Sequence, residues 1–125
     1  GAYEVEIVIQ NAGASKIDFC LLNDKGEKVS MYYDLNRKQF VMDRSESGKV
    51  DFSKDFPAVT VAPVNVDKEL TLRLFVDRSS IEAFGEDGKF VMTNLVFPSQ
   101  PYVKMCFEAD KNGYAVKSLN VYKLQ

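Results

Sequence analysis

The sequence predicts an all-β fold, a two-sheet antiparallel β-sandwich of the jelly-roll or concanavalin-like kind. Three observations carry this. Apolar residues recur with period two. Turn-forming residues break the chain at regular intervals. No stretch of a dozen residues keeps a helical period. About nine to ten or more short strands are expected, which is sandwich or barrel territory.

The elements follow in order. Val5, Ile7 and Ile9 alternate with Glu4, Glu6 and Val8. Strands are expected next at 16–23, 28–35 and 39–43. The segment 44–68 is the least regular and is expected to hold one short strand near 58–62. In Leu70-Thr71-Leu72-Arg73-Leu74-Phe75-Val76-Asp77 the even positions carry Leu, Leu, Leu and Val, the signature of a strand with one face on a core. Strands at 79–84, 89–97, 102–109 and 114–124 complete the set. Asp24-Lys25-Gly26, Glu86-Asp87-Gly88-Lys89 and Asp110-Lys111-Asn112-Gly113 supply residues that tolerate the positive φ of tight turns. Pro57, Pro63, Pro98 and Pro101 are expected between strands, where a missing N–H breaks no ladder.

Composition bounds the function. The 125 residues fit a single domain, 1–125, with 46% hydrophobic and 27% charged residues. A net charge of −2 without basic clusters argues against nucleic acid as a partner. The apolar runs are too short for a membrane-spanning helix. Cys20 and Cys106 each sit in an apolar run and read as small buried hydrophobes rather than a bonded pair. No secretory leader is visible at the N-terminus, and a chain that opens on Gly1 is expected to be a processed or partial one.

The chain contains no His, which removes Ser-His-Asp and Cys-His catalysis and the commonest zinc ligand. It has no glycine-rich phosphate loop and no calcium loop. No catalytic, metal or cofactor residue is therefore assigned, and the carboxylates read as solvated surface groups.

The most distinctive stretch is Leu72 to Phe84, with Val76-Asp77-Arg78-Ser79-Ser80-Ile81-Glu82 at its centre. It reads as a meander: one strand ends at Asp77, Arg78 and Ser79 turn, a short strand runs through Ile81 and Ala83, and Asp87-Gly88 turns into a third. Arg78 is expected to reach Glu82 or Asp43 and fix the corner. A related pattern, Val41-Met42-Asp43-Arg44-Ser45, occurs earlier, so two strands are expected to end at similar corners that could be neighbours. Asp43, Arg44, Asp77, Arg78, Ser79 and Glu82 thus form a structural corner that is also a candidate contact for sugar hydroxyls. Tyr32, Tyr33, Tyr102 and Tyr114, with Phe56 in a loop, are the candidate aromatic contacts.

At these residues the chain resembles the C-terminal β-sandwich module of glycoside hydrolase family 32, which includes levanases, inulinases and invertases. The matching pieces are Tyr33-Asp34, Phe40-Val41-Met42-Asp43-Arg44-Ser45-Glu46-Ser47-Gly48, the Leu72–Phe84 stretch, Asp87-Gly88, Thr93, Phe97-Pro98 and the closing Val116–Tyr122 segment. The resemblance implies a missing N-terminal five-bladed β-propeller in the same polypeptide that carries the active site. The family's catalytic motifs, of Trp-Met-Asn-Asp-Pro-Asn, Arg-Asp-Pro and Glu-Cys type, are absent, and the chain has no Trp. The resemblance therefore implies a non-catalytic accessory role, with the propeller as partner and extracellular or periplasmic placement. A fructan oligosaccharide bound by the module and a homodimer are the further partners it implies.

Overall fold

In the computed structural model the chain is described over residues 2–48, 58–65, 68–85, 90–108 and 113–123. Ten strands follow one another: β1 (Tyr3–Asn11), β2 (Lys16–Leu22), β3 (Lys28–Asp34), β4 (Gln39–Asp43), β5 (Val59–Pro63), β6 (Glu69–Val76), β7 (Ser80–Gly85), β8 (Phe90–Leu95), β9 (Lys104–Glu108) and β10 (Tyr114–Lys123). They form two antiparallel sheets of five, ordered β10-β1-β6-β7-β8 and β5-β4-β3-β2-β9. The expected strands are all present, with ends shifted by one or two residues. The turns expected at 86–89 and 110–112 lie outside the described residues, as do Phe56 and Pro57.

Period two does the folding work. In β6, Leu70, Leu72, Leu74 and Val76 point inward and are buried, and β1 matches them with Val5, Ile7 and Ile9. The second sheet answers with Ile17, Phe19, Leu21, Val29, Met31, Tyr33, Phe40 and Met42. Each such side chain contributes about 1.5–3 kcal/mol on burial, which makes this two-layer core the main stabilising term. Gly85 belongs to the same design. It sits opposite Phe90 in the β7–β8 ladder, and a Cβ there would occupy the space of the Phe90 ring.

The two flanks of the sandwich differ. On one, β5 and β8 approach, and Asn94 Nδ2 donates to Thr60 Oγ1 at 2.9 Å across the gap. On the other, β10 and β9 stand apart. Leu119 and Val121 pair with the inward-facing Ile7 and Val5, yet stay 42% and 62% exposed. An apolar groove of about 460 Å³ runs along this flank, lined by Tyr3, Leu21, Tyr102, Val103, Met105 and Val121.

Two expectations need correction. Cys20 and Cys106 are directly paired in the β2–β9 register, with Cα atoms 5.1 Å apart, and form a disulfide. Direct cross-strand placement, not burial, decides their state. Pro63 is not between strands but closes β5, an edge strand whose last residue needs no N–H in the ladder.

Candidate functional site

The corner at 77–80 is built by backbone bonds. Asp77 N donates to Ser80 O at 2.9 Å, and Asp77 Oδ1 accepts the Arg78 N–H at 2.6 Å. Asp77, Arg78 and Ser79 are all exposed. The expected pairing of Arg78 with Glu82 or Asp43 does not form; neither carboxylate lies within ion-pair reach of it. Glu82 instead sits out on the sheet face, opposite Phe75.

The second Asp-Arg-Ser segment behaves differently. Asp43 Oδ1 accepts the Ser45 N–H at 2.9 Å, an Asx turn. Arg44 is 3% exposed, and its Nη1 donates to Leu95 O at 2.6 Å. Burial lowers the pKa of its guanidinium. The two strands that end in these segments, β4 and β6, lie in different sheets and are not neighbours. What they share is a target. Arg44 holds Leu95 O, while Ser79 O accepts the Val96 N–H at 2.9 Å. Both corners therefore anchor the exit of β8.

That exit crosses from one sheet to the other over the end of the sandwich. Tyr102 OH donates to Ser47 O, Ser47 Oγ to Arg44 O at 2.7 Å, and Tyr3 OH to Tyr102 O at 2.9 Å. Glu27 Oε1 accepts from Asn23 Nδ2 and from Ser99 N and Oγ, each at 2.8 Å. The Asn23 amide, with Ser99 assisting, holds the Glu27 carboxyl below its usual range. Gly48 lets its loop lie backbone against the Phe97 carbonyl, at a φ of +141° that favours glycine.

The four tyrosines do not assemble a platform. Tyr33 and Tyr102 are 0% and 2% exposed and offer no ring face. Tyr32 is half-buried on the outer face of the second sheet, with Lys16 Nζ 4.2 Å from its ring centre. Tyr114 packs against the core at the start of β10.

An array that sequence reasoning passed over lies on the outer face of the first sheet. Register places Glu6, Arg73 and Phe84 in one outward row, and Glu4, Phe75 and Glu82 in the next. Arg73 Nη2 lies 2.8 Å from Glu6 Oε1, and its Nε lies 3.3 Å from Glu4 Oε2. Phe75 and Phe84 meet edge to face with centroids 5.5 Å apart. A depression of about 560 Å³ is lined by Glu6, Arg73, Phe75 and Phe84 of this array. The signal was present as the polar half of the β1 and β6 alternation, but the pairing of two strands so far apart in the chain was not.

With this geometry in hand, the likeness to known proteins is specific. The chain is 34% identical over its whole length to a levanase of Bacillus sp. (strain L7), of which it covers 14%. It is 38% identical over 62% of its length to the extracellular exo-inulinase of Aspergillus awamori, covering 15% of that protein. The crystal structure of exo-inulinase from the same fungus superposes on 99% of the chain with a TM-score of 0.82 and 29% identity, and the chain covers 25% of it. It thus spans well under a third of each of these relatives. The family described as "Glycosyl hydrolases family 32 C terminal" matches residues 1–123, and the chain belongs to that family.

Proposed function

We propose that this chain is the non-catalytic accessory domain of a secreted, fructan-acting glycoside hydrolase, and that it packs on the catalytic domain preceding it. The observation that carries this reading is the open flank. Val103 and Val121 are 66% and 62% exposed beside Tyr3, Tyr102 and Met105, in a groove an isolated domain has no reason to keep. A preceding domain would connect at β1, and Ala2 and Tyr3 line that groove. The Tyr3–Val76 pairing sets the same connection beside the Asp77–Arg78 corner. Fructan as the substrate class comes from the levanase and exo-inulinase names of the relatives. Secretion is supported by the word extracellular in one of them and by the disulfide, which suits an oxidising compartment.

The test uses the longer protein. Val103→Asp and Val121→Asp should lower the melting temperature of the catalytic domain in the joined protein while leaving this domain's own stability nearly unchanged. Equal melting of the joined wild type and variants would refute the packing. So would a stable dimer formed through the groove in the joined protein.

A further inference from the structure

The outer face of the first sheet has no part in the packing just described. Across its middle, register sets Glu6, Arg73 and Phe84 side by side, with Glu4, Phe75 and Glu82 in the adjoining row. Arg73 is half-exposed, yet two carboxylates hold its guanidinium through Nε and Nη2. Among the described residues no group engages Nη1, so donors remain beside carboxylate oxygens at fixed spacing. Exposed ion pairs of this kind contribute little to stability, so folding does not explain the arrangement.

Chemistry narrows the occupant. A guanidinium flanked by carboxylates offers donors and acceptors together, which suits neighbouring hydroxyls that both donate and accept. The perpendicular Phe75–Phe84 pair borders the depression and offers an apolar patch for the C–H face of a sugar ring. Glu4, Glu6 and Glu82 outnumber Arg73, so phosphates, sulfated glycans and nucleic acids are repelled. A cation would meet Arg73 at the centre. We propose that this face binds a neutral oligosaccharide, with Arg73 as the central hydrogen-bonding group and Phe75 and Phe84 as the stacking patch.

Amide shifts of the chain, followed by NMR during titration, test the proposal. The ligands are levan- and inulin-derived oligosaccharides, a cello-oligosaccharide and a sulfated oligosaccharide, each to millimolar concentration. The expected result is saturable shifts on β1, β6 and β7 with at least one neutral ligand. Arg73→Ala should weaken that binding about tenfold or more while the spectrum keeps its folded dispersion. Arg73→Lys should recover only part of the loss, because the ammonium lacks the planar fork. Only the choice of fructans as probes rests on the family reading. Binding of the cello-oligosaccharide alone at this face would sustain the site and count against fructan as its ligand. The proposal fails if no neutral ligand shifts these strands, if only the sulfated ligand does, or if Arg73→Ala binds like wild type. It also fails if, in the longer protein, hydrogen exchange shows the face covered by the catalytic domain.

Discussion

The Tyr102 hydroxyl donates to the backbone carbonyl of Ser47, 55 residues away in the chain, with both residues buried. This bond ties the β8–β9 crossover to the loop leaving β4. Removing the hydroxyl leaves a buried carbonyl without this donor, at a cost of about 1–3 kcal/mol. Tyr102→Phe should therefore lower stability by that amount in urea titrations, without changing the slope. Tyr122→Phe, at an exposed position, is the control and should stay within about 0.5 kcal/mol.

The same cluster sets an alkaline limit. Burial pushes the Tyr3 phenol up to about 12, and burial raises Tyr102 as well. An unfolded tyrosine ionises near pH ~10, so above that pH the unfolded state holds fewer protons than the folded one. Stability from these groups is complete below about pH 10 and falls as pH rises through the folded value. Denaturant midpoints should decline between about pH 10 and 12, and Tyr3→Phe should flatten that decline. An unchanged slope in the variant would remove Tyr3 from the account.

How much of this was legible beforehand depends on range. The strands were readable because alternation is local: Leu70, Leu72, Leu74 and Val76 announce their own buried face. What depended on register was hidden. Cys106 lies in a five-residue strand whose phase its neighbours do not reveal, so its pairing with Cys20 could not be read. The two Asp-Arg-Ser segments look alike in sequence, yet Arg44 is buried and Arg78 exposed, because only Arg44 has the Leu95 carbonyl in reach. The Arg73 array needed the β1–β6 pairing. The family motif lies in the same segment, Leu72 to Phe84, that carries Arg73, Phe75 and Phe84.

That contrast between the arginines is measurable. Arg44→Ala removes a charge-assisted bond to Leu95 O and leaves a space inside the loop cluster, so a loss of about 2–4 kcal/mol is expected. Arg44→Lys should recover only part, since the ammonium lacks the planar fork. Arg78→Ala should cost under about 0.5 kcal/mol. Equal losses at the two sites in thermal and chemical unfolding would show the corners to be equivalent after all.

Gly85 gives a test of packing rather than polarity. A methyl group there meets the Phe90 ring, which covers the glycine from the next strand. Gly85→Ala should destabilise by about 1–3 kcal/mol through overpacking. Phe90→Leu alone also costs stability, but in the Gly85→Ala background it makes room. The double variant should be more stable than the sum of the single losses by about 1 kcal/mol, a coupling the two-by-two cycle reads directly. Simple additivity would mean that the ring moves aside without cost.

The disulfide closes a long covalent loop. Cys20 and Cys106 are 86 residues apart, and they staple the edge strand β9 to β2. Chain-entropy reasoning gives about 4.6 kcal/mol for a loop of that size, with about 2–4 kcal/mol typical in practice. Reduction, or Cys20→Ala with Cys106→Ala, should lower stability by that amount. It should also steepen the denaturant dependence, because an uncrosslinked unfolded chain exposes more surface. β9 carries Met105 along the open groove, so amide exchange in β9 should rise more than in β3, which is paired on both sides. Identical unfolding of the reduced and oxidised chains would show that the ladder alone, and not the covalent link, fixes β9 in place.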